Sequence, residues 1–107
     1  MKVLPDESLP RKLRNAFPEH ECQTVPEAGL SGQKNGHLLS LAEASGFELF
    51  LTMDKGLQYQ QNLSGRHIAI LIVRSRSNRL IDLLPRVEAC RSTMISIQPG
   101  EVIRVGE

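Results

Sequence analysis

The chain has 107 residues, of which 40% are apolar and 23% charged, and its net charge is +1 at pH 7. This length suits one domain with its own core, so we expect residues 1–107 to form a single domain that needs no disulfide or structural metal. The composition excludes wholesale disorder, and the longest uninterrupted apolar run, residues 68–73, is too short to span a membrane. The N-terminal segment reaches an acid, Asp6, too early for a signal peptide, so we expect a cytoplasmic protein with no membrane partner.

The first half of the chain alternates short strands with helices. Residues 1–4 are mostly apolar and predict a strand, and apolar residues then recur at helical spacing over residues 9–17. A weak strand over residues 21–25 and a loop lead to a second helix, whose end is marked by Gly46. Residues 47–52 predict another strand, apolar on one face and mostly apolar on the other.

The second half continues this alternation. Residues 67–73 are apolar at nearly every position, which is typical of a central parallel strand covered on both faces. A helix follows over residues 80–87, and we expect a kink or a restart at Pro85 because proline removes a helix hydrogen bond. Residues 94–97 and 102–105 predict a C-terminal β-hairpin across a Pro-Gly turn. Together these elements predict an α/β fold with a mostly parallel sheet and helices on both faces.

Acidic residues follow two of the predicted strands and are the strongest candidates for chemistry. Asp6 ends the first strand and Asp54 ends the third, and ligands of open α/β sheets bind at such carboxyl ends. If these strands lie close together, Asp6 and Asp54 can hold Mg²⁺ or Mn²⁺, with Glu7 or Glu43 as an auxiliary ligand. The alternative is structural: Asp6 and Asp54 cap helices, while Glu7 and Glu43 are solvated surface charges.

Arginine accounts for the basic excess of the chain. Residues 66–91 contain six arginines against two acids. Arg74, Arg76 and Arg79 follow the predicted central strand and are candidates for binding nucleic-acid phosphates, because guanidinium groups make bidentate contacts to them. The alternative is a solvated helix face and loop.

Several segments resemble one family over essentially the whole chain. Residues 2–10 (KVLPDESLP) resemble the "KILLDENLP" opening of small bacterial PIN-like domains, and residues 34–39 (KNGHLL) resemble their "KNGELL" helix start. Residues 51–54 (LTMD) resemble the "TxD" strand end. Residues 59–63 (YQQNL) and 77–80 (SNRL) resemble signatures of one subgroup.

The resemblance implies a PIN-like three-layer fold and a Mg²⁺- or Mn²⁺-dependent ribonuclease, with Asp6 and Asp54 matching the family's metal-binding acids. It also implies an association with toxin–antitoxin pairs. The chain departs from the family where relatives carry further acids: Asn35 and His37 stand at two such positions, and the "TxDxDF" pattern becomes TMDKGL over residues 52–57.

Two functions therefore remain open. The first is a metal-dependent endoribonuclease that cleaves single-stranded RNA slowly, as the toxin of a pair with an antitoxin protein. The second is a catalytically degenerate PIN-like binding module. The sequence leaves the oligomeric state open, a homodimer included.

Overall fold

A parallel sheet forms the centre of the molecule. The computed structural model describes residues 1–57 and 66–106, so the YQQNL motif lies outside the described residues. The strands are β1 (Lys2–Pro5), β2 (Glu21–Cys22), β3 (Leu49–Thr52), β4 (Ala69–Val73) and β5 (Val102–Val105). They lie in the order β2–β1–β3–β4–β5, and every neighbouring pair is parallel. The predicted α/β class is confirmed.

Helical segments connect the strands. They are a 3-10 helix (Arg11–Ala16), α1 (Asn35–Ala44), α2 (Leu80–Leu83), a 3-10 turn (Leu84–Arg86) and α3 (Val87–Ser96). Pro85 lies in the 3-10 turn between α2 and α3, which confirms the predicted break. No helix among the described residues combines the length and the apolar character needed to cross a membrane.

Helices cover both faces of the sheet because its strands are apolar on both sides. Leu71 and Val73 of β4 pack with the 3-10 helix, α2 and α3, while Ile70 and Ile72 pack against α1. All five residues of β4 are buried. Each fully buried aliphatic side chain contributes roughly 1.5–3 kcal/mol. Because helices pack on each face of the sheet, the described residues form three layers, as predicted.

The predicted C-terminal hairpin is wrong. Met94 to Ser96 forms the last turn of α3, and β5 pairs in parallel with β4 at the edge of the sheet. Cys90, Met94 and Ile97 are buried in one cluster, at spacings of four and three residues that suit a helix. The short run at 94–97 resembles a strand locally, but its apolar side chains continue the helical face that begins before it.

Candidate metal centre

Asp6 and Asp54 lie at the carboxyl ends of two adjacent strands. β1 and β3 are neighbours, with Pro5 opposite Leu51. The Asp6 backbone N–H donates to Leu51 O at 2.8 Å, which continues the pairing of the strands by one residue. Asp54 follows β3 by two residues. The structure therefore brings Asp6 and Asp54, the two acids that the sequence analysis selected, to one edge of the sheet. They are called the acid pair below.

Thr52 connects the two members of the acid pair. Its hydroxyl donates to Asp6 Oδ2 at 3.0 Å and accepts from the Asp54 backbone N–H at 3.0 Å. Asp6 Oδ2 and Asp54 N are therefore separated by no more than twice that distance. Thr52 is polar but has 0% exposure to solvent, so its hydroxyl depends on these two partners for its hydrogen bonds. The position of Asp6 is thus coupled to the turn that carries Asp54.

Each carboxylate of the acid pair uses one oxygen for local structure. Asp6 Oδ2 also accepts from Ser8 Oγ at 3.0 Å, and Asp54 Oδ1 accepts from the Gly56 N–H at 3.0 Å. The contact with Gly56 is the capping role that the sequence left open for Asp54. Asp6 Oδ1 and Asp54 Oδ2 lie outside these hydrogen bonds, so capping and cation binding are compatible.

The two carboxylates of the acid pair supply oxygen atoms, the type of ligand that a small hard cation takes. Mg²⁺ takes oxygen ligands and often binds through one or two carboxylates, with water and substrate phosphates completing its coordination. In the part of the chain that the structure describes, no group of three or more His, Cys, Asp or Glu residues is arranged to hold a metal ion. A cation at Asp6 and Asp54 would therefore have no third acidic ligand among the described residues.

Glu7 borders the site without joining the acid pair. Its side chain is exposed, and together with Asp6 it lines an open groove of about 420 Å³ between β1 and the segment after β2. Arg11 and Glu27 line the same groove. The groove gives solvent and ligands access to Asp6 from the β2 side of the sheet.

Glu43 lies at the opposite end of the sheet. Its Oε1 accepts from the Ile68 N–H at 2.8 Å and from the His67 N–H, at the residues that precede β4. Desolvation raises the pKa of the Glu43 carboxyl, but these backbone hydrogen bonds and the Arg66 guanidinium outweigh it, so the pKa lies below its ordinary value. The structure does not bring Glu43 to the acid pair and assigns it a structural role between α1 and β4.

The candidate arginines divide between one pocket-lining residue and two exposed ones. Arg74 is half-buried and lines a cavity of about 310 Å³ together with Asp54 and Lys55. Arg76 and Arg79 are exposed on the connection from β4 to α2, and neither lines that cavity. The structure therefore brings Arg74, but not Arg76 or Arg79, to a cavity that Asp54 also lines.

Three residues near the site were missed by sequence reasoning. Thr52 was visible as a polar residue at the end of an apolar strand, two positions before Asp54. Arg104 was visible as a charge within the apolar β5, and Lys55 as the neighbour of Asp54. None of these signals identifies a partner, because the contact depends on which strands are adjacent.

Comparison of the chain with protein-family models, with curated proteins and with solved structures finds no match. The functional assignment therefore depends on the geometry of the acid pair and on the motif resemblance.

Proposed function

We propose that the protein is a Mg²⁺- or Mn²⁺-dependent endoribonuclease of the PIN-like class, acting on single-stranded RNA. The observation that carries the proposal is the Thr52 bridge, which holds Asp6 and Asp54 together at the carboxyl ends of β1 and β3. A bound cation would neutralise charge on a phosphodiester and lower the pKa of a bound water.

The chain's own residues have a defined part in this activity. Asp6 Oδ1 and Asp54 Oδ2 would bind the cation, while Thr52, Ser8 and Gly56 orient the two carboxylates through their other oxygens. The groove beside Asp6 leaves room for a nucleotide chain to approach the acid pair. In a toxin–antitoxin pair, such an enzyme would be the toxin and an antitoxin protein would restrain it.

The small number of acids favours one second candidate. A phosphodiesterase benefits from a second metal or from a base that positions water, and the described residues include no third acid arranged with the pair. A chain that retains the cation site without the rest would bind RNA or a protein and cleave slowly or not at all. The second proposal is therefore a catalytically degenerate PIN-like binding module.

Cleavage assays with matched variants separate these candidates. A panel of single-stranded RNAs is incubated with Mg²⁺, Mn²⁺ or EDTA and with wild type, Asp6→Asn, Asp54→Asn or Glu43→Gln. Asparagine preserves size and a hydrogen-bond acceptor, so both active-site variants should fold. Cleavage that requires the cation, is lost in both Asn variants and survives in Glu43→Gln supports the enzyme. Equal background cleavage by all four proteins refutes it and favours the binding module.

A further inference from the structure

A third cavity lies next to the one that Asp54 lines, at the carboxyl end of the sheet. Lys55, Gly56, Arg74 and Arg104 line an open space of about 350 Å³, here called the cationic pocket. The cavity that contains Asp54 shares both Lys55 and Arg74 with it. The two cavities therefore form one continuous surface, on which cations lie directly beside Asp54.

The backbone of Arg74 is fixed on both sides. Its N–H donates to Val105 O at 2.7 Å, and its carbonyl accepts from Arg86 Nε at 3.1 Å. Gly106 lies so close that an added Cβ would stand 2.4 Å from the Arg74 carbonyl oxygen. The Arg74 side chain therefore extends from a fixed backbone position.

Lys55 and Arg104 also extend from constrained backbone. Lys55 lies inside the turn that the Asp54–Gly56 hydrogen bond closes. Arg104 lies opposite Ile72 in the pairing of β5 with β4. Side chains alternate between the faces of a strand, so Arg104 and Arg74 both belong to the face that α1 covers. The sheet register thus places the two arginines on the same side.

Two of the cations that line the cationic pocket, Lys55 and Arg74, form no ion pair with another described residue. Among residues 1–57 and 66–106, Arg14 forms an ion pair with Glu27, and Glu19 forms ion pairs with both Arg91 and His20. Lys55 and Arg74 take part in none of these pairs. None of the four pocket-lining residues is acidic. A pocket with this charge selects anions, and arginine is suited to bidentate contacts with phosphate.

We propose that the cationic pocket binds a phosphate of the RNA chain that neighbours the phosphate at the acid pair. This inference rests on the proposed action on RNA, and it names the residues that hold the substrate. Lys55, Arg74 and Arg104 bind the backbone without reading bases, because phosphate contacts carry no sequence information. The phosphate is an internal phosphodiester or a terminal 5′-phosphate, because both present anionic non-bridging oxygens.

Binding measured without metal tests the pocket separately from cleavage. Fluorescence anisotropy with a 3′-labelled oligouridylate in EDTA is recorded from 50 to 200 mM salt for wild type and for the Lys55→Gln, Arg74→Gln double variant. The control is Lys12→Gln, an exposed cation on the 3-10 helix that covers the other face. A second double variant, Arg74→Gln with Arg104→Gln, tests the third residue. Each oligonucleotide is used with a 5′-hydroxyl and with a 5′-phosphate.

Each double variant should lower the magnitude of the slope of log affinity against log salt by about 0.7, because the cationic pocket binds one phosphate and each neutralised phosphate of a single strand contributes about 0.7. The same loss with both oligonucleotides identifies an internal phosphodiester, and a loss only with the 5′-phosphate identifies a terminal one. The proposed phosphate binding is overturned if the double variants have slopes no lower than that of Lys12→Gln while their melting temperatures match wild type. If the slopes are unchanged but wild type cleaves RNA, the proposed function stands without the pocket. If the slopes are lowered but wild type does not cleave RNA, the enzymatic function is refuted and the pocket stands.

Discussion

The hydroxyl of Thr52 donates a hydrogen bond to Asp6 Oδ2 at 3.0 Å, across 46 positions of sequence. This buried contact joins the end of β3 to the residue after β1. We expect Thr52→Val to lower the free energy of unfolding by about 1–3 kcal/mol, because it leaves the Asp54 N–H without its acceptor and removes a donor to Asp6. Urea denaturation measures the loss.

Thr52→Ser is the matched control for that variant. Serine keeps the hydroxyl and removes one methyl group, so it should retain the bridge and lose only about 1 kcal/mol of packing. Wild type and Thr52→Ser should bind Mn²⁺ with similar affinity in calorimetry, whereas Thr52→Val should bind it more weakly. Equal Mn²⁺ affinity in all three proteins would contradict an orienting role for Thr52.

Cation binding should stabilise the wild type but not the variants of the acid pair. A ligand that binds only the folded state adds about 2.7 kcal/mol of stability at a concentration of one hundred times its dissociation constant. We expect Mn²⁺ to raise the melting temperature of wild type and of Glu43→Gln, and to leave Asp6→Asn and Asp54→Asn unchanged. Differential scanning fluorimetry with a Mn²⁺ titration and an EDTA reversal provides the measurement. A Mn²⁺ response that survives in Asp6→Asn would assign the cation to another site.

Glu27 should contribute stability that is lost in acid. A hydrogen bond from the Thr24 backbone N–H, together with the Arg14 guanidinium, lowers the pKa of Glu27 from 4.5 to about 2. A carboxyl with a lowered folded-state pKa stabilises the fold above its unfolded pKa and loses that contribution as the pH falls through the folded pKa. The relevant window is therefore pH 4.5 to 2.

Melting temperatures of wild type and Glu27→Gln across that window test the contribution. We expect wild type to be the more stable protein above pH 4.5 and the difference to shrink as the pH approaches 2. Glu88→Gln, at an exposed acid on α3, controls for the loss of one negative charge. A difference that stays constant from pH 6 to pH 2 would show that the pKa of Glu27 is not shifted.

Gly106 should be intolerant of a side chain because of its contact with Arg74. Its φ is +91°, and an added Cβ would meet the Arg74 carbonyl oxygen at 2.4 Å, closer than atoms in a fold can remain. Gly32 has φ +82° with nothing within 4 Å of an added Cβ, so Gly32→Ala carries only the backbone cost of about 1–2 kcal/mol. We expect Gly106→Ala to exceed that cost, in urea denaturation, by at least about 1 kcal/mol. Equal losses in the two variants would show that the end of β5 moves aside freely.

The sequence alone was sufficient for the fold class and for the prediction that Asp6 and Asp54 lie at one edge of the sheet. The run at 67–73 is apolar at nearly every position, which is typical of a strand that is covered on both sides. Asp6 and Asp54 were recognisable because each follows a strand, and parallel strands end at one edge of the sheet. Both inferences need only the local period of apolar residues and the position of a charge relative to it.

The tertiary structure decided which of these residues meet. The order β2–β1–β3–β4–β5 makes β1 and β3 neighbours and so brings Asp6 to Thr52. The same order, with the length of α1, places Glu43 at the amino end of β4. Nothing in the local pattern distinguishes these arrangements, because strand pairing joins residues that are far apart in the chain.

The C-terminal region shows the same division between local pattern and packing. The residues at 94–97 suit a strand or a helix when read alone, and burial of Cys90 and Met94 against the sheet favours the helix. With α3 extended, β5 returns to β4 in parallel, and Arg104 takes its place in the cationic pocket. Local preference for either structure is worth less than about 1 kcal/mol per residue. Burial of one large apolar side chain is worth roughly 1.5–3 kcal/mol. The packing of the whole chain therefore determines the structure of this segment.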